Sequence, residues 1–480
     1  MQATTKYIKT LDSDSFKAFL HALAQEREPG RSSLVSITLP IADMDPLAAL
    51  ELHHTHADKF YWQHPKNGVA IAAAGAAAKL RATGPDRFQQ ITRQKEQWKR
   101  NISSFTAINH DLAGPLFLGG YSFQDHNIGT VWKQFGAARF VLPEWVVVQA
   151  DGISFLTLTI DREGKELVDL YQEIIEKITD FLRIAGSFSN GREHSPHAPT
   201  VELMPDHDER QRWESNVKKA KKLILQQKFQ KIVLARSTRV KLSGQIHPES
   251  VVYRLRSRYP ECFNFMIQVD EGLTFLGATP ERLASFSDGV MTTEGLAGSI
   301  SRGSSASEDE ALAHSLLKSR KDLNEHSFVV RAIDSSLEPY SYSVKHSEKP
   351  VIKKLKNVQH LFTPISADIR KGVQIHQLIQ QLHPTPAVGG YPANDALRFI
   401  QEIEQLDRGW YAAPVGWFNL NGFGEFAVAI RSALLTPSEA TLYAGCGIVK
   451  DSDPATEWNE TLLKLQPMLE AIQSYNEGYD

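Results

Sequence analysis

The segment 443–464 constrains the fold more than any other stretch of this sequence. It begins as an apolar run spaced by Gly445 and Gly447, and it ends in a polar turn that leads to Asp453 and Pro454. Asp453 is suited to cap a helix, and Pro454 suits the first helical position, where no backbone donor is needed. The sequence therefore predicts a strand, a tight turn and a helix in this segment.

The predicted helix has two different faces. Large apolar side chains recur at helical spacing and predict a buried stripe. Its members are Trp458, Leu462, Leu465, Leu469 and Ile472. Glu457, Glu460 and Lys464 lie on another side and are close together in a helix. Taken alone, such a group is more often a solvated face with one Glu–Lys pair, and a functional site is the alternative.

Strands and helices occur in mixed blocks along the chain. Strands are predicted in adjacent pairs, for example 140–150 and 153–160, which a tight turn at Asp151–Gly152 joins as a hairpin. Helical patterns at 164–184 and 208–227 separate such pairs. Hairpin-like pairs without regular alternation favour an α+β fold over a doubly wound parallel sheet.

Three local predictions complete this description. The alanine-rich run that starts at residue 69 predicts a strand followed by a helix through Ala78 and Leu80. A single helix is predicted for 308–336. A continuous apolar strand is predicted for 424–435.

Length and composition bound the class of protein. A chain of 480 residues predicts two or three domains on length alone, and the Ser-, Pro-, His- and Gly-rich segment 186–207 is the candidate linker. With 53 basic and 56 acidic residues, the chain has no general attraction to nucleic acid or to an anionic membrane. Two cysteines, and an N-terminus without the apolar core of a signal peptide, are typical of a cytoplasmic protein.

Carboxylates occur where helical spacing directs them toward apolar neighbours. Asp322 and Glu325 lie on nearly the same helix face as Val329. Acids in an apolar stripe are costly unless they are paired or bind a cation, so an ion pair with a local Arg or Lys is one explanation. Together with Glu457 and Glu460 they form an oxygen-only donor set on two helices, and Mg²⁺ prefers such donors.

Three more charged residues stand beside apolar runs. Arg431 lies within FGEFAVAIRSALL, where a permanent charge needs an anionic partner, which is either a protein carboxylate or a bound ligand. Lys231 opens an apolar strand, and Glu281 follows a Thr-Pro turn; exposed strand ends explain both positions as well. As a set, these residues would supply an acid, a base and cationic seats for a substrate that carries carboxylates.

Eight motifs, in this order, resemble the chorismate-utilising enzymes, a family that includes anthranilate synthase, aminodeoxychorismate synthase, salicylate synthase and isochorismate synthase. They are KIVLAR, GATPERL, TEGLAGSISRG, NEHSFVV, LHPTPAVGG, YAAPVGW, FAVAIRSA and AGCGIVKDSDPATEWNET. The match is dense from residue 208 onward and weaker before it, where GPLFLGGYSF and FVLPEW are also similar to the family. The likeness is greatest to the isochorismate synthase branch, in its menaquinone-pathway form.

The resemblance implies a metal and substrate site. Glu325 and Glu460 would hold Mg²⁺, with Asp322 and Glu457 acting through water, and the metal would bind the ring carboxylate of chorismate. The residues that would seat the rest of the substrate, chiefly its enolpyruvyl carboxylate, are Arg431, Tyr411, Gly445, Lys464, Gly298 and Ala387.

The resemblance also implies the acid and the base. Lys231 would activate water for attack at C2, and Glu281 would protonate the departing C4 hydroxyl, because hydroxide is a poor leaving group. Lys231 stands where amine-using members have Gln, which implies water as the nucleophile. Ala297 replaces the nucleophilic Lys of aminodeoxychorismate synthase, and Ala387 replaces the Thr of members that eliminate pyruvate. Gly295 and Ser299 depart from the Ala and Thr more usual in the family.

The family fold implies one large α+β unit over residues 1–480, with two packed antiparallel sheets and helices outside. Residues 1–185 would complete the sheets, 186–207 would be an excursion, and 208–480 would carry the catalytic motifs. The expected activity is reversible isomerisation of chorismate to isochorismate, without a glutaminase partner, nucleic acid or membrane. Two alternatives are a salicylate synthase, which also releases pyruvate, and a non-catalytic module that binds an anionic metabolite.

Overall fold

A computed structural model describes residues 10–11, 13–25, 33–52, 56–125, 129–186, 200–204, 206–244, 246–270, 272–356 and 358–473. The helices of these residues are α1 (Asp14–Gln25), α2 (Pro46–Leu52), α3 (Arg87–Asn101), α4 (Leu167–Gly186), α5 (Glu209–Leu225), α6 (Pro248–Arg258), α7 (Ala306–Lys318), α8 (Arg320–Leu337), α9 (Ile375–Leu382), α10 (Ala393–Glu404) and α11 (Pro454–Ile472). Within this part of the chain, no helix has both the length and the hydropathy needed to cross a membrane.

The strands in chain order are β1 (Leu34–Ile41), β2 (Lys59–His64), β3 (Val69–Ala74), β4 (Ala78–Ala82), β5 (Ile102–Thr106), β6 (Leu116–Tyr121), β7 (Ala138–Leu142), β8 (Trp145–Ala150), β9 (Ile153–Asp161), β10 (Thr200–Leu203), β11 (Lys231–Ser243) and β12 (Phe263–Asp270). The remaining strands are β13 (Leu273–Thr279), β14 (Arg282–Ser287), β15 (Val290–Ser301), β16 (Ser341–His346), β17 (Val351–Lys354), β18 (Val358–Ile369), β19 (Gly390–Tyr391), β20 (Pro414–Asn419), β21 (Gly424–Val428), β22 (Ser432–Leu435) and β23 (Glu439–Ile448).

Two large sheets form the centre of the molecule. One has 13 strands in the order β10-β11-β23-β22-β13-β12-β2-β3-β8-β9-β1-β5, with β19 paired to β11. The other has 10 strands in the order β16-β18-β15-β14-β21-β20-β6-β7-β4, with β17 paired to β18. Their pairs are antiparallel, except that β1 and β5 run parallel. The predicted α+β class with two packed antiparallel sheets is confirmed.

The larger sheet is buried on both faces. Along β3, Ile71 and Ala73 belong to the core between the two sheets, whereas Ala72 and Ala74 belong to the core beneath the outer helices. Successive strand residues point to opposite faces, so a strand covered on both sides has no polar positions. This two-sided burial explains why the apolar run of β3 has no polar alternation.

Strands from before and after the 186–207 segment share both sheets. In the larger sheet β12 pairs with β2, and in the smaller sheet β20 pairs with β6. Most of the segment itself, 187–199 and residue 205, lies outside the described residues, so its interpretation as an excursion stays a prediction.

Several local predictions are confirmed. Asp151 and Gly152 form the turn between β8 and β9, with φ values of 50° and 76°. The Asp453 side chain accepts a hydrogen bond from Thr456 N and caps α11, whose first residue is Pro454.

Others are wrong. Ala78 and Leu80 lie in β4, which pairs with β7, because sheet pairing outweighs the helix propensity of alanine. The helix predicted for 308–336 is two helices that meet at Ser319. Leu462 is 46% exposed, so the buried stripe of α11 runs instead through Thr461, Leu465, Met468 and Ile472.

Candidate active site

The central strand pair β11–β23 builds one wall of the candidate site. Val233 lies opposite Gly447, and Ala235 lies opposite Gly445. A Cβ atom at Gly447 would lie 2.7 Å from Cε of Lys231, and one at Gly445 would lie 2.7 Å from Leu234 O. The glycine spacing of this apolar run therefore leaves room for the Lys231 side chain over the sheet.

Lys231 is buried and paired. Its side chain is 3% exposed, and Nζ donates to Oε1 of Glu325 at 2.7 Å. Glu325 extends from α8, which packs against β15 of the smaller sheet. This ion pair therefore joins the predicted base to a predicted metal ligand across the space between the two sheets.

Glu281 lies in the connection between β13 and β14. It is 5% exposed, and Oε1 accepts a hydrogen bond from the Thr385 hydroxyl at 3.4 Å. Burial, and to a smaller extent the charge of Glu294, raise the pKa of this carboxyl to about 7, whereas the charge of Lys231 opposes the shift. Glu281 is therefore protonated at mildly acidic pH and is suited to donate a proton.

Arg431 interrupts the strand that was predicted to be continuous. It separates β21 from β22 with a φ of 51°, in the left-handed region. The residue is 9% exposed, and burial lowers the pKa of its guanidinium. Among the described residues no carboxylate lies within ion-pair distance of Arg431, so the structure favours a bound anion over a protein acid as its partner.

The four predicted metal-ligating carboxylates have different partners. Glu460 pairs with Lys464 at 2.7 Å, and this charge lowers the pKa of Glu460. Glu457 is 5% exposed, and burial raises its pKa. Asp322 exchanges hydrogen bonds with Ser319, and Glu325 pairs with Lys231.

The donor type of this group fits Mg²⁺, which takes carboxylate oxygens and water. As placed, however, no three His, Cys, Asp or Glu side chains in the described ranges converge as a ligand set. Asp322, Glu325 and Glu460 are held instead by the lysine and serine contacts given above. A metal would therefore replace the Lys231 and Lys464 pairs at Glu325 and Glu460.

The loop 383–392 closes another side of the site. Arg408 donates to Val388 O at 2.9 Å and to Val233 O at 2.8 Å, so it fastens this loop to β11. Its charge is balanced by the buried Glu404. Ala387 in the loop consequently faces the same space as the residues of β11.

All twelve predicted site residues line one cavity of about 180 Å³. They are Lys231, Glu281, Gly298, Asp322, Glu325, Ala387, Tyr411, Arg431, Gly445, Glu457, Glu460 and Lys464. The cavity combines an acid with a raised pKa, a buried amine, an unpaired guanidinium and a carboxylate group. This chemistry suits proton transfer on a small molecule with several acidic groups.

The sequence analysis missed several residues that line the cavity, among them His360 and Lys321. His360 on β18 is bonded through Nδ1 to the Ser299 hydroxyl at 2.8 Å, while its buried Nε2 has no partner within the described structure. Burial lowers the pKa of His360 to about 3, so the ring is neutral. Lys321 on α8 adds a cation beside Asp322. The available signal for Lys321 was its position next to the NEHSFVV motif, whereas His360, in VQHL, lies outside all eight motifs.

The fold is that of an α+β enzyme, and the chemistry of this cavity suits acid–base work on an anionic substrate. The chain belongs to the chorismate-binding enzymes, since the family described as "Chorismate binding enzyme" matches residues 18–473.

Individual relatives cover nearly the whole chain. The isochorismate synthase MenF of Bacillus subtilis is 34% identical over 97% of this chain and 99% of its own length. The salicylate biosynthesis isochorismate synthase of Pseudomonas aeruginosa is 37% identical, with 95% and 94% covered. The solved structure of MenF, the menaquinone-specific isochorismate synthase of Escherichia coli, aligns with a TM-score of 0.76 at 25% identity, over 96% of this chain and 100% of that one.

Proposed function

We propose that this chain is an isochorismate synthase that converts chorismate reversibly to isochorismate with Mg²⁺. The observation that carries the proposal is the convergence of Lys231 and Glu281 on one cavity with Arg431 and the carboxylate group. The full-length likeness to two isochorismate synthases supports the same reaction.

Lys231 acts as the general base. Once the pair with Glu325 is open and Nζ is unprotonated, Nζ accepts a proton from water while the water oxygen forms a bond to C2 of the substrate ring. Glu281 donates its proton to the C4 hydroxyl as the C4–O bond breaks and the ring double bonds shift, so that one water enters and one leaves. The raised pKa of Glu281 keeps a proton available for this step near neutral pH. In the reverse reaction the same two groups exchange roles.

Anion-binding groups orient the substrate between the acid and the base. Arg431 and Tyr411 receive the enolpyruvyl carboxylate with backbone donors near Gly445, while Lys464, Gly298 and Ala387 line the remaining walls. The ring carboxylate lies toward the acidic side chains of α8 and α11. There Glu325 and Glu460 would hold Mg²⁺ directly, and Asp322 and Glu457 would hold it through water. When bound there, the ion would supply positive charge for the ring carboxylate.

Product analysis tests the reaction. Purified protein with chorismate and Mg²⁺ is expected to form isochorismate and no salicylate or pyruvate, without ammonia or a glutaminase subunit. Strong salicylate fluorescence without added lyase would favour the salicylate synthase alternative. Tight binding of chorismate without turnover would favour the non-catalytic module. Removal of metal by EDTA is expected to stop turnover, and full activity without metal would contradict the Mg²⁺ assignment.

Substitutions test the acid and the base. Lys231→Ala and Glu281→Ala are each expected to lower kcat by at least about 10²–10⁴-fold, the range that general acid–base groups contribute. Lys241→Ala is the matched control, because Lys241 lies on the same strand, at an exposed position far from the cavity. Near-wild-type turnover in either site variant would overturn its role.

We also propose that the product supplies menaquinone biosynthesis in the cytoplasm. The likeness to MenF supports menaquinone, whereas the 37% identical relative is named for salicylate biosynthesis. Disruption of the gene in its host decides between them: loss of menaquinone with salicylate unchanged is expected, and the reverse result would assign the other pathway.

A further inference from the structure

A charged pair lies directly behind the predicted general acid. The Lys353 ammonium group donates to Glu294 Oε2 at 2.7 Å and to Pro280 O at 3.0 Å. Pro280 immediately precedes Glu281, so Lys353 holds the peptide that carries the acid. Neither Glu294 nor Lys353 is among the residues that line the cavity.

Three strands of the smaller sheet hold this pair in place. Glu294 lies on β15 and Lys353 on β17, and both strands pair with β18. The Nζ atom of Lys353 lies over the ring of Phe362 on β18, 4.9 Å from the ring centroid. The Glu294 side chain is 11% exposed and that of Lys353 is 21% exposed. Their charges are therefore only partly screened by water.

The neighbouring charges form an alternating set. Arg282 lies 3.8 Å from Glu294 and 3.1 Å from Glu425, which also accepts a hydrogen bond from the Trp62 indole. The leading charge effects on Glu281 come from Glu294 on β15, Lys231 on β11 and Lys353 on β17. Of these, Glu294 raises the pKa of the carboxyl, and the two lysines lower it.

We propose that Glu294 and Lys353 are positioning residues for the isomerisation: Lys353 fixes the Pro280–Glu281 peptide, and the two opposite charges set the electrostatic field at the Glu281 carboxyl. The inference rests on the proposed function, since Glu281 matters here as the proton donor. Neither residue touches the substrate; both act through Glu281.

The two halves of the pair have opposite electrostatic effects. Glu294→Gln removes the negative charge and leaves Lys353 uncompensated, so the Glu281 carboxyl titrates at a lower pH than in the wild type. Lys353→Met removes the positive charge and leaves Glu294 uncompensated, so Glu281 titrates at a higher pH. The double variant Glu294→Gln/Lys353→Met restores a midpoint between those of the single variants. A merely structural role would not move the midpoint in opposite directions.

Infrared difference spectroscopy of the protonated carboxyl band measures this midpoint without turnover. The band of Glu281 is assigned by its loss in Glu281→Gln. Lys354→Met is the matched control: Lys354 is the next residue on β17 and pairs with Asp309 at 2.8 Å instead of Glu294. The control is expected to leave the midpoint at its wild-type position.

Kinetics complete the test. Lys353→Met is expected to lower kcat more than it changes KM, because the acid is displaced while the anion-binding residues stay in place. Midpoints that do not move, or that move in the same direction in both single variants, would overturn the inference even where the wild type turns over chorismate. A wild type without turnover would instead overturn the proposed function, whatever the midpoints show.

Discussion

The surroundings of two carboxyl groups in this site shift their pKa values in opposite directions. Burial raises the pKa of Glu281 to about 7, whereas the neighbouring Lys464 lowers the pKa of Glu460. One group thus keeps a proton near neutrality and the other stays ionised. Divergent environments of this kind separate a proton donor from a charge-binding group in enzymes with several acids. The local environments therefore agree with the roles proposed for the two residues.

The raised pKa of Glu281 also predicts a cost in stability. The pKa of Glu281 is about 7 in the folded protein, above its ordinary value of 4.5. The contribution of this group to the stability of the fold is therefore fully present below pH 4.5 and is lost as the pH rises through 7. Glu281→Gln removes the ionisable group, so the variant is expected to be more stable than the wild type at pH 8 by up to about 3 kcal/mol. Thermal unfolding at several pH values measures the difference, which should vanish in mild acid. A variant that is less stable than the wild type at pH 8 would contradict the prediction that the ionised, buried Glu281 carboxylate destabilises the fold.

Single residues also show how far the sequence predicts the site. Charge inside an apolar run identifies Arg431, and a motif match identifies Glu281, because both signals are local in the chain. The Lys231–Glu325 pair is not predictable in this way, since 94 residues separate its members and only the packing of α8 against the sheet brings them together. His360 was missed because a histidine within a strand has no distinctive neighbours in sequence.

At the scale of elements, the break between α7 and α8 places the carboxylates of α8. Ser319 ends α7 and caps α8 by accepting a hydrogen bond from Asp322 N at 3.3 Å. The sequence analysis predicted one continuous helix across this junction because no Gly or Pro marks it. The cap sets the first turn of α8, which carries Asp322 and precedes Glu325. It therefore determines where these two side chains lie in the cavity.

Ser319→Ala is expected to cost about 1 kcal/mol of stability, the usual effect of losing a serine cap. It should also weaken Mg²⁺ binding, because Asp322 loses its partner. Ser305→Ala is the matched control: Ser305 caps α7 through Glu308 N at 3.2 Å, away from the cavity. Denaturant unfolding and metal titration by calorimetry separate the two effects. Equal metal affinity in both variants would refute the role of this junction.

The strand β15 illustrates why some elements escape prediction. Its sequence contains Gly295 and Gly298 and several small polar residues, so it has no strand-like alternation. Gly298 has a φ of 77°, and its register with β18 shifts at that point. A bulge therefore brings the backbone of β15 to the cavity. Pairing with a distant strand, rather than local propensity, stabilises the strand conformation of β15.

Gly298→Ala tests this bulge. A Cβ there would lie 3.1 Å from Asp322 Cβ and 3.3 Å from Leu361 Cδ1, whereas at Gly289, with the same φ of 77°, it would meet nothing within 4 Å. Both alanine variants are expected to lose about 1–2 kcal/mol from left-handed strain. Only Gly298→Ala should lose more than this and also lose turnover through displacement of Asp322. Unfolding free energies and kcat provide the measurement, and identical behaviour of the two variants would argue against crowding at the site.

At the scale of the whole molecule, each sheet divides into two contiguous halves. In the larger sheet the strands β2, β3, β8, β9, β1 and β5 follow one another, and they meet the later strands only where β2 pairs with β12. In the smaller sheet β6, β7 and β4 meet the later strands where β6 pairs with β20. The twelve proposed site residues all lie in the second half, which explains why recognisable motifs are dense there. The first half needs only residues that form and pack strands, and many different sequences satisfy that requirement.

This division predicts that residues 208–480 alone will not be active, although they contain all twelve proposed site residues. Without the first half, β12 and β20 become sheet edges, and their residues are buried except Asp270. Long apolar edges pair with other chains and aggregate. Co-expression with residues 1–207 should restore a soluble 1:1 complex that converts chorismate, because this fragment supplies the missing partners β2 and β6 together with the edge strand β10. Size-exclusion chromatography and turnover measure both outcomes. A soluble, active fragment 208–480 would show that the first half is dispensable for the site and that the two sheet junctions contribute little to holding Lys231 and Glu281 in one cavity.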